Sequence, residues 1–265
     1  MDDTLLTLPP FEYQGLMAEA WDVLRGDTSN WDDRFFYPKL IEMYGQPVLD
    51  VGCGTGRLLL DYLAQGLDVD GVDNSPDMLA LCRRKAEASG LAPRLYEQYM
   101  ETLALPRRYR TILIPSSTLQ LVIDPPMVVQ GLRRLYDQLE PGGVVVASVM
   151  DLWQAGEPLA REYEQTAVRA ADGATFHRVV RSRYDPASQL EHTEDVYQLI
   201  VGAKVVAEER HQRSPATRAY TQAQIRAVFA QAGFSPIDLY SRFTLEPVKP
   251  DDTMFVVVGH KAARP

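Results

Sequence analysis

The feature that most constrains the fold is the segment VLDVGCGTGRLLL at residues 48–60. A short apolar run containing Asp50 is followed by glycine at three alternate positions, Gly52, Gly54 and Gly56, and then by an apolar segment with helical spacing. We interpret this order as a strand, a tight glycine loop and a helix. Glycine is required where the backbone takes a positive φ or approaches a ligand closely. The first turn of the following helix would present unpaired N–H groups towards a ligand above the loop.

The spacing of the loop separates two classes of nucleotide site. A dinucleotide-binding loop has glycine or alanine three residues after its second glycine, and this chain has Arg57 at that position. A second apolar run, residues 67–72, ends in Asp73. An acid at the tip of the second strand accepts hydrogen bonds from a ribose diol and repels a 2′-phosphate. The sequence therefore favours a nucleoside ligand whose ribose lies beside Asp73.

The composition of the chain limits the classes of binding partner and the cellular compartment that we expect. The 265 residues carry a formal net charge of −9, and such a surface repels phosphate backbones, which disfavours a nucleic-acid substrate. The two cysteines, Cys53 and Cys82, lie in the loop and the next helix and cannot establish a disulfide framework. No secretory leader is visible at the N-terminus, and no apolar run approaches the ~20 residues that span a bilayer. We expect a cytoplasmic protein without a membrane partner.

Strand and helix patterns alternate through the first part of the chain, which is typical of a mainly parallel sheet with helices on its faces. Two amphipathic helices end near Gly26 and Gly45, and Ser75 followed by Pro76 predicts the start of a third. The strands predicted in this part span residues 48–51, 67–73, 93–98, 109–115 and 144–150.

The pattern changes after residue 150. Residues 158–168 are predicted as a helix, and three strands follow at 174–184, 190–201 and 203–212. Three consecutive antiparallel strands cannot be inserted inside a parallel sheet, so we expect a small separate sheet near the strand tips. A helix at 221–232 and two final strands, 235–243 and 254–260, complete the prediction.

Three motifs together resemble the class I S-adenosylmethionine-dependent methyltransferases: the glycine loop with Asp73, LEPGG at 139–143, and QAGF at 231–234. The resemblance implies an α/β fold with a Rossmann-like, doubly wound, mainly parallel seven-stranded sheet. The inserted antiparallel β-meander resembles that of small-molecule N-methyltransferases, such as those that dimethylate aminosugars, and glycine N-methyltransferase. We expect an N-terminal helical lid (1–46), a cofactor-binding core (47–150 and 214–265) and a substrate cap (151–213).

The resemblance also implies S-adenosylmethionine as the cofactor and assigns residues to it. After the third strand, the acid usual in the family is replaced by Tyr99, Met100 takes the backbone role beside the adenine, and Glu101 lies one position from where the adenine amine is read. Met78 is expected near the adenine, with plain core packing as the alternative. The residues expected to bind the cofactor are Asp50, Gly52, Cys53, Gly54, Gly56, Asp73, Asn74, Met78, Met100, Glu101 and Ser116.

Four residues are candidates for the substrate side. In the family the N-terminal helices fold over the cofactor, which makes Tyr13 and Trp21 candidates, with ordinary helix packing as the alternative. Ser117 and Gln120 follow the fourth strand, whose carboxyl end borders the ligand in an open parallel sheet; the alternative is that Ser/Thr only form the turn. No metal is expected and no catalytic base is assigned, since each histidine is more simply explained as an exposed strand residue.

The segment Asp124-Pro125-Pro126-Met127 offers a different interpretation. It resembles the Asp-Pro-Pro-aromatic tetrapeptide of nucleobase amino-methyltransferases. However, methionine replaces the ring that would stack on a flipped base, a helix pattern begins immediately, and the chain is acidic. We therefore interpret Asp124 with the two prolines as a helix start.

The function predicted from these features is transfer of a methyl group from S-adenosylmethionine to an amine or hydroxyl of a small molecule. Holding the acceptor in line with an already activated methyl group, with water excluded, can supply roughly 7–11 kcal/mol without a dedicated catalytic side chain. The alternatives are an NAD-dependent oxidoreductase, which Arg57 argues against, and a non-catalytic module that binds S-adenosylmethionine. The sequence leaves open a monomer or a homodimer.

Overall fold

The computed structural model describes residues 13–263, apart from the side chains of residues 214 and 215. The first part of the expected lid and the N-terminal segment in which no leader was predicted lie outside the described residues.

The chain alternates helices and strands up to residue 150 and then changes to consecutive strands. The helices are α1 Gly15–Arg25, α2 Asp32–Tyr44, α3 Leu59–Ala64, α4 Pro76–Ala88, α5 Pro125–Gln138 and α6 Gln222–Gln231. The strands are β1 Val48–Val51, β2 Val69–Asp73, β3 Leu95–Glu97, β4 Tyr109–Ile114, β5 Leu139–Met150, β6 Ala160–Val168, β7 Thr175–Asp185, β8 Leu190–Val201, β9 Lys204–Arg218, β10 Ile237–Ser241 and β11 Met254–His260. Short 3₁₀ helices span Met100–Thr102 and Thr118–Leu121.

Seven strands form the large sheet in the order β10, β11, β5, β4, β1, β2, β3. Neighbours from β3 to β5 are parallel, while β11 runs antiparallel to both β5 and β10. Apolar clusters pack on both faces: α5 and α6 contribute Leu132 and Phe229 on one face, and α2 and α3 contribute Leu40 and Leu59 on the other. The predicted fold class, with a mainly parallel seven-stranded sheet, is confirmed.

The strands β6 to β9 form a separate antiparallel meander, which we call the small sheet. Helix α1 packs against it through Leu16, Met17 and Ala20, which cluster with Phe176 and Tyr197. The expected separate sheet is therefore present, with one strand more than predicted.

The helix predicted at residues 158–168 is wrong, because this segment is strand β6. It contains good helix formers, but β7 supplies a hydrogen-bonding partner along all of Ala160–Val168. Most β6 side chains remain exposed, so no apolar alternation marks the strand in the sequence. Pairing with β7, the next strand along the chain, overrides the weak local helix propensity.

The predicted helix starts agree with the structure. Ser75 caps α4, and its hydroxyl accepts a hydrogen bond of 3.1 Å from the Met78 N–H. Asp124 immediately precedes Pro125, the first residue of α5, as expected for a helix start.

Within residues 13–263, the structure contains no helix that is both long and apolar enough to cross a lipid bilayer.

Candidate functional site

A cavity opens at the carboxyl ends of β1, β2 and β4. Strand β1 lies at the centre of this group, with β2 on one side and β4 on the other. The strand order reverses at β1, because β2 and β3 follow on one side of it and β4 and β5 on the other. Open α/β sheets bind ligands at such a switch point. Helix α1 and the segment after β3 form the remaining walls.

The three loop glycines are required for three different reasons, although each has a positive φ. A Cβ on Gly52 would come within 2.5 Å of the Thr118 side chain. A Cβ on Gly56 would come within 2.7 Å of Cys82 Sγ, so this glycine serves helix packing. A Cβ on Gly54 would meet nothing closer than 4.0 Å and would project into open space. Gly52 and Gly54 line the cavity, whereas Gly56 does not.

The Asp73 carboxylate ties the second strand to the glycine loop. Its Oδ2 accepts a hydrogen bond of 2.8 Å from the Gly54 N–H, and its Oδ1 accepts one of 2.8 Å from the Ser75 N–H. Burial raises the pKa of Asp73, although these backbone bonds act in the opposite direction. Each carboxylate oxygen can accept more than one hydrogen bond, so the group retains acceptor capacity towards the cavity.

Asp50 also lines the cavity and is almost completely buried, with 1% of its surface exposed. Burial raises its pKa to about 7, and the nearby Arg57 guanidinium partly opposes this shift. Its Oδ1 atom has no hydrogen-bond partner among the residues that the structure describes. A buried carboxylate oxygen without a donor is suited to a ligand that brings one.

The segment after β3 supplies an apolar and acidic wall. Met100 and Glu101 are buried in the 3₁₀ helix and line the cavity beside Tyr99. Burial raises the pKa of Glu101. The Gln130 side chain of α5 donates a hydrogen bond of 2.9 Å to the Glu101 carbonyl and holds this segment in place. Glu101 thus reaches the cavity despite its shifted position in the motif.

The loop after β4 adopts a conformation that the sequence does not reveal. Ser116 and Ser117 both have left-handed backbone, with φ of 54° and 59°. Such values are uncommon outside glycine and are found where a fold holds a site under strain. Ser116 lines the cavity, whereas the Ser117 N–H donates a hydrogen bond to Ser148 Oγ at 3.2 Å and Ser117 lies outside the lining.

Gln120 was predicted to face the substrate, but it does not line the cavity. Its side chain is fully buried, and its Nε2 donates hydrogen bonds of 2.9 Å to the carbonyls of Met150 and Arg218. Its Oε1 accepts a hydrogen bond of 2.8 Å from the Met150 N–H. Gln120 therefore joins the ends of β5 and β9, and its amide is occupied by backbone groups.

Helix α1 and Tyr13, which lies two residues before it, border the cavity. Tyr13 and Trp21 line it, and their rings meet edge to face with centroids 4.7 Å apart. The start of α1 is held in place at two points. The Gly15 N–H donates to Asp77 on α4, and the Leu16 N–H donates to Glu209 on β9, both at 2.8 Å.

Two arginines that line the cavity were not predicted as site residues. Arg57 forms a salt bridge with both oxygens of the buried Asp33 on α2. Arg25 is the last residue of α1 and lies against the rings of Trp21 and Trp31. The sequence contains no signal for Arg25, because a basic residue at the end of a helix is ordinary.

The structure brings most of the predicted site residues together around this one cavity. Those that line it are Tyr13, Trp21, Asp50, Gly52, Cys53, Gly54, Asp73, Asn74, Met78, Met100, Glu101 and Ser116. Those that do not are Gly56, Ser117 and Gln120.

Three histidines have acidic neighbours outside the cavity lining. His177 and His211 lie on the small sheet, near Glu164 and Glu209, and His260 contacts Asp238. The geometry thus assigns none of these three as a base at the cavity.

The lining fits an S-adenosyl ligand. Open space faces Gly54, the Asp73 carboxylate has remaining acceptor capacity for a diol, and Asp50 offers an oxygen without a donor. Arg25 adds a cation on the lid side of the loop.

Comparison with protein families identifies the central region. Residues 48–143 match the family model described as a methyltransferase domain. This range includes the glycine loop, Asp73 and Ser116. The resemblance to the class I methyltransferases and the prediction of a methyltransferase are confirmed.

Two relatives differ in how much of the chain they cover. The dTDP-3-amino-3,6-dideoxy-alpha-D-glucopyranose N,N-dimethyltransferase of Streptomyces fradiae is 27% identical, covering 86% of this chain and 87% of that protein. The ubiquinone biosynthesis O-methyltransferase of Pectobacterium carotovorum is 34% identical, covering 41% of this chain and 45% of that protein.

Solved structures share the fold. A S-adenosylmethionine-dependent methyltransferase of Clostridium acetobutylicum superposes with a TM-score of 0.73 at 17% identity, covering 91% of this chain and 95% of the other. A SAM-bound amino pentose methyltransferase of Micromonospora echinaspora gives a TM-score of 0.65 at 22% identity, covering 94% and 98%.

Proposed function

We propose that this chain, an S-adenosylmethionine-dependent methyltransferase, methylates the amino group of a small molecule, with amino sugars as the first class to test. The cofactor residues, the acceptor class and the role of residues 151–213 as the acceptor cap are all parts of this proposal.

The relatives support an amine acceptor through the extent of their matches. A match that covers 86% of the chain must extend into residues 151–213, because the uncovered part of the chain is shorter than this insertion. The relative that reaches this far acts on an amino sugar by its name, whereas the O-methyltransferase match covers only 41%. Sequence similarity that is confined to the cofactor-binding region does not indicate which acceptor is methylated.

The observation that carries the proposal is the polar inner face of the small sheet. Residues opposite one another in neighbouring strands share a face, and Asp195 stands opposite Val180 on β7 and His211 on β9. The same face packs against α1 through Tyr197. The Arg213 guanidinium on this face lies 5.7 Å from the ring of Tyr13, which lines the cavity. A polar surface thus continues from the cavity beneath the small sheet.

An amine fits the acidic groups of the cavity and the net charge of the chain. Asp195 is buried and forms a salt bridge with Arg178 through Oδ1, while its Oδ2 has no hydrogen-bond partner in the part of the chain that the structure describes. Asp50, Asp73 and Glu101 add acidic groups to the cavity, and the chain carries a net charge of −9. A negative surface favours the approach of an ammonium ion over that of an anion.

The residues around the cavity would hold the cofactor from three sides. Asp73 would accept hydrogen bonds from the ribose, and Tyr99, Met100 and Glu101 would form the adenine wall. Gly54 would allow the backbone to approach the ligand closely.

S-adenosylmethionine, when bound, supplies a methyl group already activated by its positive sulfur. The protein therefore has to orient the acceptor and exclude water. Orientation of the reactants can lower the activation barrier by roughly 7–11 kcal/mol. The lid side chains Tyr13 and Trp21 would exclude water from one side, and the loop at Ser116 would border the transfer path from the other.

The proposal is tested with labelled methyl transfer from S-adenosylmethionine to a panel of amino sugars, including dTDP-linked 3-amino-3,6-dideoxyglucose. Each amine is paired with the sugar that carries a hydroxyl at the same carbon. We expect methylation of at least one amine and none of its hydroxyl partner. Transfer to hydroxyls alone would contradict the amine proposal, and cofactor binding without turnover on amines and hydroxyls alike would favour a non-catalytic module. The Asp73→Ala variant is expected to lose cofactor binding. It serves as the control for background methyl transfer that does not depend on the cofactor site.

A further inference from the structure

Arg25 is unusual among the cations near the cavity because of what surrounds its guanidinium. The guanidinium carbon lies 4.1 Å from the ring centroid of Trp21 and 5.2 Å from that of Trp31. These two indole rings shield it from water while it lines the cavity beside the glycine loop. Burial, and the like charge of Arg57, lower the pKa of Arg25.

Three other cations near α1 have acidic partners. Arg57 forms a salt bridge with Asp33, Arg34 with Asp61, and Lys85 with Asp22 at 2.9 Å. Arg25, in contrast, makes no hydrogen bond or salt bridge to any residue in the described range 13–263.

The acid closest to Arg25 along its own helix is occupied elsewhere. Asp22 accepts a hydrogen bond of 2.7 Å from the Thr55 hydroxyl, and its other oxygen accepts one of 2.9 Å from Lys85. Asp33 is bound on both oxygens by Arg57. These contacts hold α1 and α2 against the glycine loop, and both carboxylates are occupied by partners other than Arg25.

A partly desolvated guanidinium with five N–H donors is costly to leave without an acceptor. Its planar donor arrangement matches a carboxylate or a phosphate. Of the groups on S-adenosylmethionine, one is an anion, the α-carboxylate of its amino-acid part. The acidic groups of the cavity, Asp50, Asp73 and Glu101, are unsuited to that carboxylate, because like charges repel.

We propose that the Arg25 guanidinium, held between Trp21 and Trp31 at the end of α1, binds the α-carboxylate of S-adenosylmethionine. Arg25 is then a positioning residue: it fixes the amino-acid end of the cofactor and joins the lid to it. The inference depends on the cofactor and not on the acceptor, so failure of amine methylation would leave it standing.

The test compares two ligands that differ only in this carboxylate. Isothermal titration calorimetry with the full chain measures the affinity for S-adenosylmethionine and for decarboxylated S-adenosylmethionine. We expect the wild-type protein to bind the intact cofactor about 10- to 100-fold more tightly, the range for hydrogen bonds between charged groups. Equal affinity for the two ligands would overturn the proposal without any variant.

Variants then assign the preference to a residue. Arg25→Met keeps an extended apolar side chain beside the indoles and removes the charge; we expect it to lose the preference and to bind the decarboxylated ligand within about twofold of wild type. Arg25→Lys should recover part of the preference as a charge without the planar fork. Arg34→Met is the matched control, since Arg34 belongs to the neighbouring helix, is paired with Asp61 and does not line the cavity. We expect it to keep the full preference.

Equal loss of affinity for both ligands in Arg25→Met would indicate a structural role and reject the proposal. Preference retained in both Arg25 variants would reject it as well. If Arg25→Met does not fold, as judged by its thermal unfolding, Arg25→Lys decides the question, because a reduced preference supports carboxylate binding and an unchanged one excludes it.

Discussion

The large sheet and the small sheet are stabilised by different means. In the large sheet every residue of β1 and β2 is buried, and apolar clusters cover both faces. In the small sheet β6 has no buried residue, and the inner face holds the salt bridge between Arg178 and Asp195. Apolar burial makes the first region rigid, which suits its proposed role in cofactor binding, while the second presents polar groups, which suit its proposed role as the acceptor cap.

Helix α1 contacts both regions, and Gln120 also joins them through the backbones of Met150 and Arg218. Leu16 and Met17 pack on the small sheet, while Trp21 and Arg25 line the cavity of the large one. Changes inside one region should therefore leave the function of the other intact unless α1 or Gln120 transmits them.

The largest effect is expected within the small sheet, from Asp195→Ala. Arg178 donates hydrogen bonds of 2.9 and 2.6 Å to this carboxylate, which is 1% exposed. Removing one partner of a buried pair costs about 3–5 kcal/mol. We expect urea unfolding to show a loss of this size, and calorimetry to show cofactor affinity within about twofold of wild type. A parallel loss of cofactor affinity would mean that the regions are not separable.

The next effect concerns the large sheet and follows from Asp50, whose pKa burial raises to about 7 from an ordinary value of 3.8. Because the folded state holds the proton more tightly, the stability contributed by Asp50 is complete below about pH 4 and is lost as pH rises to about 7. The slope is at most about 1.4 kcal/mol per pH unit. Urea unfolding across this range should show that slope in wild type and lack it in Asp50→Asn. Identical pH profiles would contradict the assignment.

A pair of glycine variants, at Gly54 and Gly90, separates backbone strain from cofactor contact. Gly54→Ala and Gly90→Ala both place a Cβ on a left-handed residue with open space around it, at φ of 54° and 67°. Each should lower the free energy of unfolding by about 1–2 kcal/mol. Gly54 lines the cavity and Gly90 does not, so Gly54→Ala alone should weaken S-adenosylmethionine binding, by at least about tenfold. Equal affinities in the two variants would show that the loop does not approach the ligand closely.

The smallest effect is expected on the outer side of the small sheet. Arg210 and Glu194 form a salt bridge of 2.7 Å, with the arginine side chain 62% exposed. Such surface pairs contribute little, so Arg210→Ala should change the free energy of unfolding by less than about 0.5 kcal/mol. Measured beside Asp195→Ala, it shows whether the inner pair alone stabilises the sheet. A loss comparable to that of Asp195→Ala would contradict this view.

The same contrast explains what could be predicted. The central strands of the large sheet, such as β1 and β4, are buried on both faces, so they appear in the sequence as largely apolar runs that end at glycine or proline. Strand β6 is an exposed edge, its side chains carry no alternation, and it was predicted as a helix. Exposure removes the pattern on which sequence interpretation depends.

Within the site, the sequence indicated which residues lie near the ligand better than which way their side chains point. Gly56 belongs to the loop motif but faces Cys82, and Gln120 follows β4 but turns its amide to the backbone of Met150 and Arg218. The position of a residue in the chain does not determine where its side chain points, because tertiary packing sets that direction.

The sequence by itself determined the fold class, the cofactor and the loop that is proposed to hold it, because these depend on local patterns: apolar runs, glycines that need positive φ, and an acid at the end of β2. The tertiary structure decided that α1 brings Arg25 to the cavity, that Ser116 takes a left-handed backbone, and that β6 pairs with β7. Each of these depends on contacts formed only in the folded chain, whose energies outweigh the local preferences that a sequence displays.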